Sequence, residues 1–136
     1  MNKPTKTFYE QEVERIMNEY GLPQHHYVYI RRSKAFMEKH HGDKIELDKI
    51  AAAACMSPFH YIRIFQQVYG TTPRQYLRDY RITKAKELLN SGYSVTQVCL
   101  DVGYESLPTF SKVFKQGTGY SPKAYQELNM LAIRDK

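Results

Sequence analysis

The chain has little cysteine, no long hydrophobic run and no sustained polar–apolar alternation, and each shortage removes a class of protein. Its two cysteines, Cys55 and Cys99, stand far apart with no CxxC or cysteine–histidine ligand spacing. That excludes a disulfide framework or a thiolate zinc site and leaves two reduced thiols, expected to be buried in apolar helical patterns. No apolar run approaches the roughly eighteen residues a membrane span needs, and Met1 to Glu10 is polar rather than signal-like, so a cytoplasmic protein with no membrane partner is expected. HExxH, a phosphate-cradling glycine loop and a nucleophile elbow are all missing. His25, His26, His40, His41 and His60 come without a second ligand set for a metal. The expectation is a protein that is not an enzyme and uses no metal or cofactor.

What is present is modest in size and locally basic. The 136 residues fit one domain able to bury a core without staples. The formal charge is +6, and its excess is concentrated in residues 57–125, which carry nine basic and four acidic side chains. Solubility alone can explain such a balance; it permits a polyanionic partner without requiring one.

Helix punctuation recurs throughout, and no strand-like period appears. A first helix is predicted over 8–20, with Tyr9, Val13, Ile16, Met17 and Tyr20 on one face, as an N-terminal extension spanning 1–26. Further helices are predicted near 28–41 and 47–55, then from Ser57-Pro58 to Gly70 and from Thr72-Pro73 to Ser91-Gly92. Ser94-Val95-Thr96-Gln97 has the form of a capping box opening another short helix. Ser106 starts a helix to about Gln116, and Ser121-Pro122 starts the last, carrying Tyr125 and Leu128 inward, with a frayed tail from Arg134.

A repeat underlies this order. Shifting the chain by 49 residues aligns 57–76 with 106–125 and gives six identities: Ser57/Ser106, Phe65/Phe114, Gln67/Gln116, Gly70/Gly119, Pro73/Pro122 and Tyr76/Tyr125. Tyr61/Phe110, Arg63/Lys112 and Ile64/Val113 keep their chemical type. With one residue fewer in the offset, Leu47, Ile50, Ala51 and Ala54 match Val95, Val98, Cys99 and Val102. Each unit is thus a short helix, a turn and a longer helix, the helix-turn-helix arrangement whose second helix can enter a DNA major groove. The units are read as about 47–69 and 95–116, joined by a linker helix of about 73–90. Its roughly 18 residues would span about 27 Å.

On the second helix of the first unit, Tyr61, Ile64, Phe65 and Val68 hold the inward stripe. Phe59, Ile62, Arg63 and Gln66 then point outward as base-reading candidates: arginine suits guanine, glutamine suits adenine, and Phe59 or Ile62 suits a thymine methyl. In the second unit Phe110, Val113, Phe114 and Gly117 face inward, leaving Pro108, Ser111, Lys112 and Lys115 outward, with Leu107 and Thr109 at the helix start. Most such faces are merely solvated. Two large apolar groups on an outward arc, with cations at the same register in both units, favour a partner. Candidates for phosphate contact are the helix-start residues Ser57, Thr72, Ser106 and Ser121, with His60, Arg74, Lys115 and Lys123 beside them.

Leu47-Asp48-Lys49-Ile50-Ala51, Ser57 through Gly70, Thr72-Pro73, Tyr76-Leu77, Arg81-Ile82, Val98 to Tyr104 and Phe110 through Tyr125 resemble the AraC/XylS family of transcription regulators over about 28–132. The resemblance implies an all-α DNA-binding domain of seven helices, two helix-turn-helix subdomains joined by a central helix, here with the extra N-terminal helix. It implies sequence-specific binding of double-stranded DNA in adjacent major grooves, with Phe59, Ile62 and Arg63 as first-unit contacts and Leu107, Pro108, Thr109, Ser111 and Lys112 as second-unit contacts. Leu107 and Pro108 replace polar residues that some members use, and Pro108 brings no donor. The chain is similar to the short stand-alone members, unless it is a fragment of a longer regulator; two units in one chain make binding as a monomer or weak homodimer feasible, and RNA polymerase is the further partner expected.

Overall fold

The computed structural model describes residues 24–134, and among them every regular element is an α-helix. They are α1 (Gln24–Lys39), α2 (Leu47–Ala53), α3 (Pro58–Tyr69), α4 (Pro73–Asn90), α5 (Val95–Asp101), α6 (Leu107–Thr118) and α7 (Pro122–Arg134). The expected seven-helix order is met. α4 has the predicted ends, α1 begins four residues earlier than expected, and α6 runs two residues further. The helix expected over 8–20 lies outside the described residues. Two compact units emerge, residues 24–36 with Glu46–Pro73, and Met37–Ile45 with the chain from Arg74 onward.

Local chemistry sets the ends of these helices. Ser57 takes an extended backbone, and its Oγ accepts the His60 N–H at 3.2 Å, with Pro58 at the first helical position. Ser106 does the same for the Thr109 N–H. Gly70 and Gly119 close α3 and α6 in the left-handed conformation, at φ 76° and 85°, and donate their N–H groups to Gln66 O and Lys115 O. Ser94 caps α5 through the Gln97 N–H. The return bond of the predicted capping box is not made, because the Gln97 amide donates forward to Asp101 Oδ1 at 2.7 Å.

In the first unit Tyr27 and Ile30 of α1, Ala51 of α2, and Tyr61, Ile64 and Phe65 of α3 are buried. Each large side chain removed from water contributes on the order of 1.5–3 kcal/mol. Tyr61 reaches the interior because its hydroxyl donates to Ser33 Oγ at 2.6 Å, and that hydroxyl donates to Ile30 O at 2.7 Å. Desolvation of the buried phenol holds the Tyr61 pKa above the usual tyrosine value, and the Ser33 hydrogen bond offsets part of that rise. Phe65 packs beside Tyr61 and Tyr69, with ring centroids 6.0 and 4.8 Å apart.

The second unit is built on Ile82, Ala85 and Leu89 of α4, Val98 and Cys99 of α5, Val102, and Phe110 and Phe114 of α6. A run of rings, Tyr104, Phe110, Phe114 and Tyr125, crosses it with successive centroids 5.5, 5.7 and 5.4 Å apart. The Gln126 amide of α7 donates to Leu89 O and Tyr93 O, tying α7 to the end of α4 and the turn that follows it. Leu128, expected inward, is 47% exposed. The face of α7 turned to the core runs instead through Pro122, Tyr125, Gln126 and Asn129, the i, i+3, i+4, i+7 set that starts from the buried proline.

Candidate nucleic-acid interface

The turn within each helix pair fixes where the longer helix starts, and the two turns share one design. In the second unit Gly103 is left-handed at φ 95°, with its N–H on Leu100 O and the Tyr104 N–H on Cys99 O. In the first, Cys55 occupies the matching position at φ 57°, with its N–H on Ala52 O and the Met56 N–H on Ala51 O. Both are Schellman closures. Cys55 is therefore exposed, not buried as its surrounding pattern suggested, whereas Cys99 is buried in the core of its unit. A residue at the left-handed position past a helix end points its side chain away from the packed face.

Arg81 fastens the second turn. Its Nε donates to His41 O at 2.8 Å, its Nη2 donates to Asp43 O at 3.0 Å, and its guanidinium lies 5.5 Å from the Tyr104 ring centre. Burial pulls the Arg81 pKa down and pushes the Tyr104 phenol up, while the adjacent guanidinium partly offsets the rise at Tyr104. Arg81 thus serves the fold of its unit, with its donors turned to backbone carbonyls.

On α3 the inward stripe is sealed, apart from a half-buried Val68, and the opposite arc presents the predicted set. Phe59 is 90% exposed, Arg63 and Gln66 are exposed, and Ile62 is half-buried. Spacing of i, i+3, i+4, i+7 puts these four on one face. Arg63 Nη2 lies 3.4 Å from the half-buried His60 Nδ1, a pairing the sequence reading missed although its i, i+3 spacing was visible.

On α6, Leu107, Pro108, Thr109, Lys112 and Lys115 are exposed and Ser111 is half-buried. Gly117 faces Ile82, where an added Cβ would sit 3.7 Å away. The capping hydroxyls differ in what they leave over. Ser106 accepts from the Thr109 N–H and donates to Thr109 Oγ1 at 3.0 Å, so both of its capacities are spent inside the helix and the Thr109 hydroxyl keeps a proton to donate outward. Ser121 accepts the Ala124 N–H at 3.1 Å, with exposed Lys123 beside it. Thr72 is half-buried and Arg74 exposed at the start of α4.

One feature of the second unit had no counterpart in the sequence reading. Arg78, Asp79, Thr83 and Lys86 of α4 and Gln116 of α6 border an open cleft of about 280 Å³ floored by Ile82, Val113 and Gly117. Its only sequence signal is glycine at 117 where the repeat has Val68 in the first unit. Among the described residues there is no cluster of three or more histidine, cysteine or carboxylate side chains able to hold a metal, and no helix is long and apolar enough to cross a membrane.

Two capped helix pairs closed by the same turn, each showing a polar and cationic arc opposite a sealed apolar stripe, define a protein of the helix-turn-helix class. The family profile of the helix-turn-helix domain matches residues 50–128, more than half the chain, and the chain belongs to this family in its AraC-type branch. It is 35% identical over 94 residues to the MmsAB operon regulatory protein of Pseudomonas aeruginosa, covering 68% of this chain and 31% of that protein. Among solved structures, the C-terminal domain of AraT, a response regulator from Geobacillus stearothermophilus, matches with TM-score 0.70 and 29% identity, over 74% of this chain and 84% of that one. The DNA-binding domain of the global transcriptional factor AdpA, solved with a target DNA, matches with TM-score 0.69 and 29% identity, over 73% and 90% of the two chains. The chain spans about a third of the length of the curated relatives it matches.

Proposed function

We propose that this chain binds double-stranded DNA sequence-specifically, with α3 and α6 in adjacent major grooves, and so regulates transcription in the cytoplasm. The observation that carries the reading is the outward arc of α3, where Phe59, Ile62, Arg63 and Gln66 share one face of a helix whose other face is closed by its core. Arg63 reads guanine, Gln66 reads adenine, and Phe59 and Ile62 contact thymine methyls. On α6, Leu107, Thr109, Ser111 and Lys112 approach base edges, with fewer groups able to discriminate, so this unit mainly anchors. Ser57, His60, Thr72, Arg74, Lys115, Ser121 and Lys123 meet phosphates, and Ser106, its hydroxyl proton spent on Thr109, does so through the open backbone N–H groups at the start of α6. The AdpA domain solved on its target DNA, similar in fold to this chain, supports the reading. Two readers in one chain suit action as a monomer or weak homodimer, with RNA polymerase as the further partner of a regulator.

The test is a salt titration on duplexes selected from random DNA, with Arg63→Ala beside the wild type. Affinity should fall about 10³-fold or more between 50 and 200 mM salt, and Arg63→Ala should relax preference at one base pair by about 1–3 kcal/mol. The 90% exposure of Phe59 also favours a second reading, docking of a protein partner through Phe59 and Ile62. Salt-insensitive or absent DNA binding would overturn the DNA reading in favour of that one.

A further inference from the structure

We propose that His60 is a positioning residue for Arg63: while its imidazole is neutral it holds the guanidinium on the outward face of α3, and when it takes up a proton it releases it. The inference rests on the DNA reading of α3 given above. Arg63 Nη2 and His60 Nδ1 lie 3.4 Å apart across one helical turn. A guanidinium only donates, so Nδ1 must accept, which puts the ring proton of neutral His60 on Nε2.

The imidazole is itself held from two sides. Its ring is half-buried and meets the His26 ring of α1 edge-on, with centroids 5.5 Å apart and planes at 76°. Its backbone N–H is tied to the Ser57 cap. Arg63, by contrast, is a long exposed side chain with His60 as its one polar partner among the described residues. An arginine fixed before binding loses less rotamer freedom on meeting a base than one ranging over solvent.

Among the described residues, the titratable and charged groups in contact with the His60 ring are the His26 imidazole from α1 and Arg63 from α3. No described carboxylate pairs with His60 or Arg63. Imidazole is the side chain that changes charge between about pH 5 and 8. Protonation turns Nδ1 from acceptor to donor and sets two cations side by side, so the contact with Arg63 is lost. The same proton adds a cation to the face that meets phosphates and strengthens binding to any sequence. Affinity for DNA in general and discrimination between sequences therefore move in opposite directions as pH falls, which a purely structural role for His60 does not produce.

The experiment compares wild type, His60→Asn and His60→Phe at pH 8.0 and pH 5.5 and constant salt, measuring Kd for a duplex recovered by selection from random DNA and for its scrambled counterpart. Helical circular dichroism confirms folding at both values. In the wild type the ratio of the two affinities should fall about three- to tenfold on acidification, the size of ordering one long side chain at an interface. His60→Asn, whose Oδ1 stands close to the Nδ1 position and does not titrate, should keep the pH 8.0 ratio at both values. His60→Phe should show the low ratio at both. A wild-type ratio indifferent to pH, or a His60→Phe variant that discriminates like wild type while Arg63→Ala does not, overturns the positioning role and leaves the DNA reading standing. No salt-dependent DNA binding by wild type at pH 8.0 overturns both.

Discussion

At the scale of single residues, left-handed positions and one buried phenol carry the sharpest consequences. Gly103 sits at φ 95°, and a Cβ there would meet His41 O at 2.7 Å and the Arg81 guanidinium at 2.9 Å, whereas Gly92, at φ 92°, has nothing within 4 Å. Gly103→Ala therefore adds a backbone clash to the conformational cost. It should destabilise by more than about 2 kcal/mol, against about 1 kcal/mol for Gly92→Ala, measured as the shift in urea midpoint. Cys55 holds the Gly103 position of the first unit with a side chain in place, so Cys55→Gly should raise stability by about 0.5–1 kcal/mol once the freer unfolded chain is subtracted. Tyr61 adds a pH dependence. Its folded pKa lies above the ordinary 10.0 because burial disfavours the phenolate. Its stabilising effect is therefore complete below that value and is lost as pH rises through the folded pKa. Urea midpoints taken at rising alkaline pH should fall more steeply for wild type than for Tyr61→Phe, which gives up the Ser33 bond, about 1 kcal/mol, but has no proton to lose.

At the scale of elements, the caps decide where the outward arcs begin. Ser57→Ala removes the acceptor of the His60 N–H and should cost about 1 kcal/mol. It should also loosen the first turn of α3, so that discrimination between a selected and a scrambled duplex falls together with thermal stability. Ser94→Ala removes an equivalent cap from α5, which carries none of the proposed base contacts, and should lower stability alone. These starts were legible in the sequence because serine followed by proline, and glycine one turn past the last apolar residue, are signals complete within a few residues. The outward arc of α3 was legible for the same reason, since a 3.6-residue period with a known core stripe leaves one face over. What was not legible depends on features without a local signature. Cys55 looked like a core thiol because left-handed turns are announced by glycine, and the only hint was its alignment with Gly103 in the repeat. Leu128 had the right spacing from Tyr125 for the core, but the buried Pro122 sets the phase of α7 one position away. The contact between His60 and Arg63 turns on side-chain torsions, which spacing permits without requiring.

At the scale of the whole molecule, the charge and the repeat make one statement about binding. Nine basic against four acidic side chains fall within 57–125, the stretch that contains α3, α6 and the helix between them. A field of that kind attracts any duplex, so the sequence-independent part of the affinity should be shared among Lys112, Lys115 and Lys123. Replacing Lys115 or Lys123, the two of these placed on phosphates rather than at base edges, by alanine should weaken selected and scrambled duplexes alike and reduce the salt slope by about one, in contrast to the sequence-dependent loss at Arg63. The repeat adds a geometric demand that charge does not. Under the proposed reading, two readers joined by α4, an 18-residue helix, enter adjacent major grooves of a duplex that turns once in about 10–10.5 base pairs. Inserting five base pairs between the two halves of a selected site rotates one half to the far side of the helix axis. One unit must then let go, and affinity should drop on the order of 10²-fold, to the level of a duplex carrying a single half-site. Competition gel shifts at fixed salt measure this directly. If the five-base-pair insertion binds as tightly as the parent site, only one unit reads the sequence, and the second helix-turn-helix contributes charge without register.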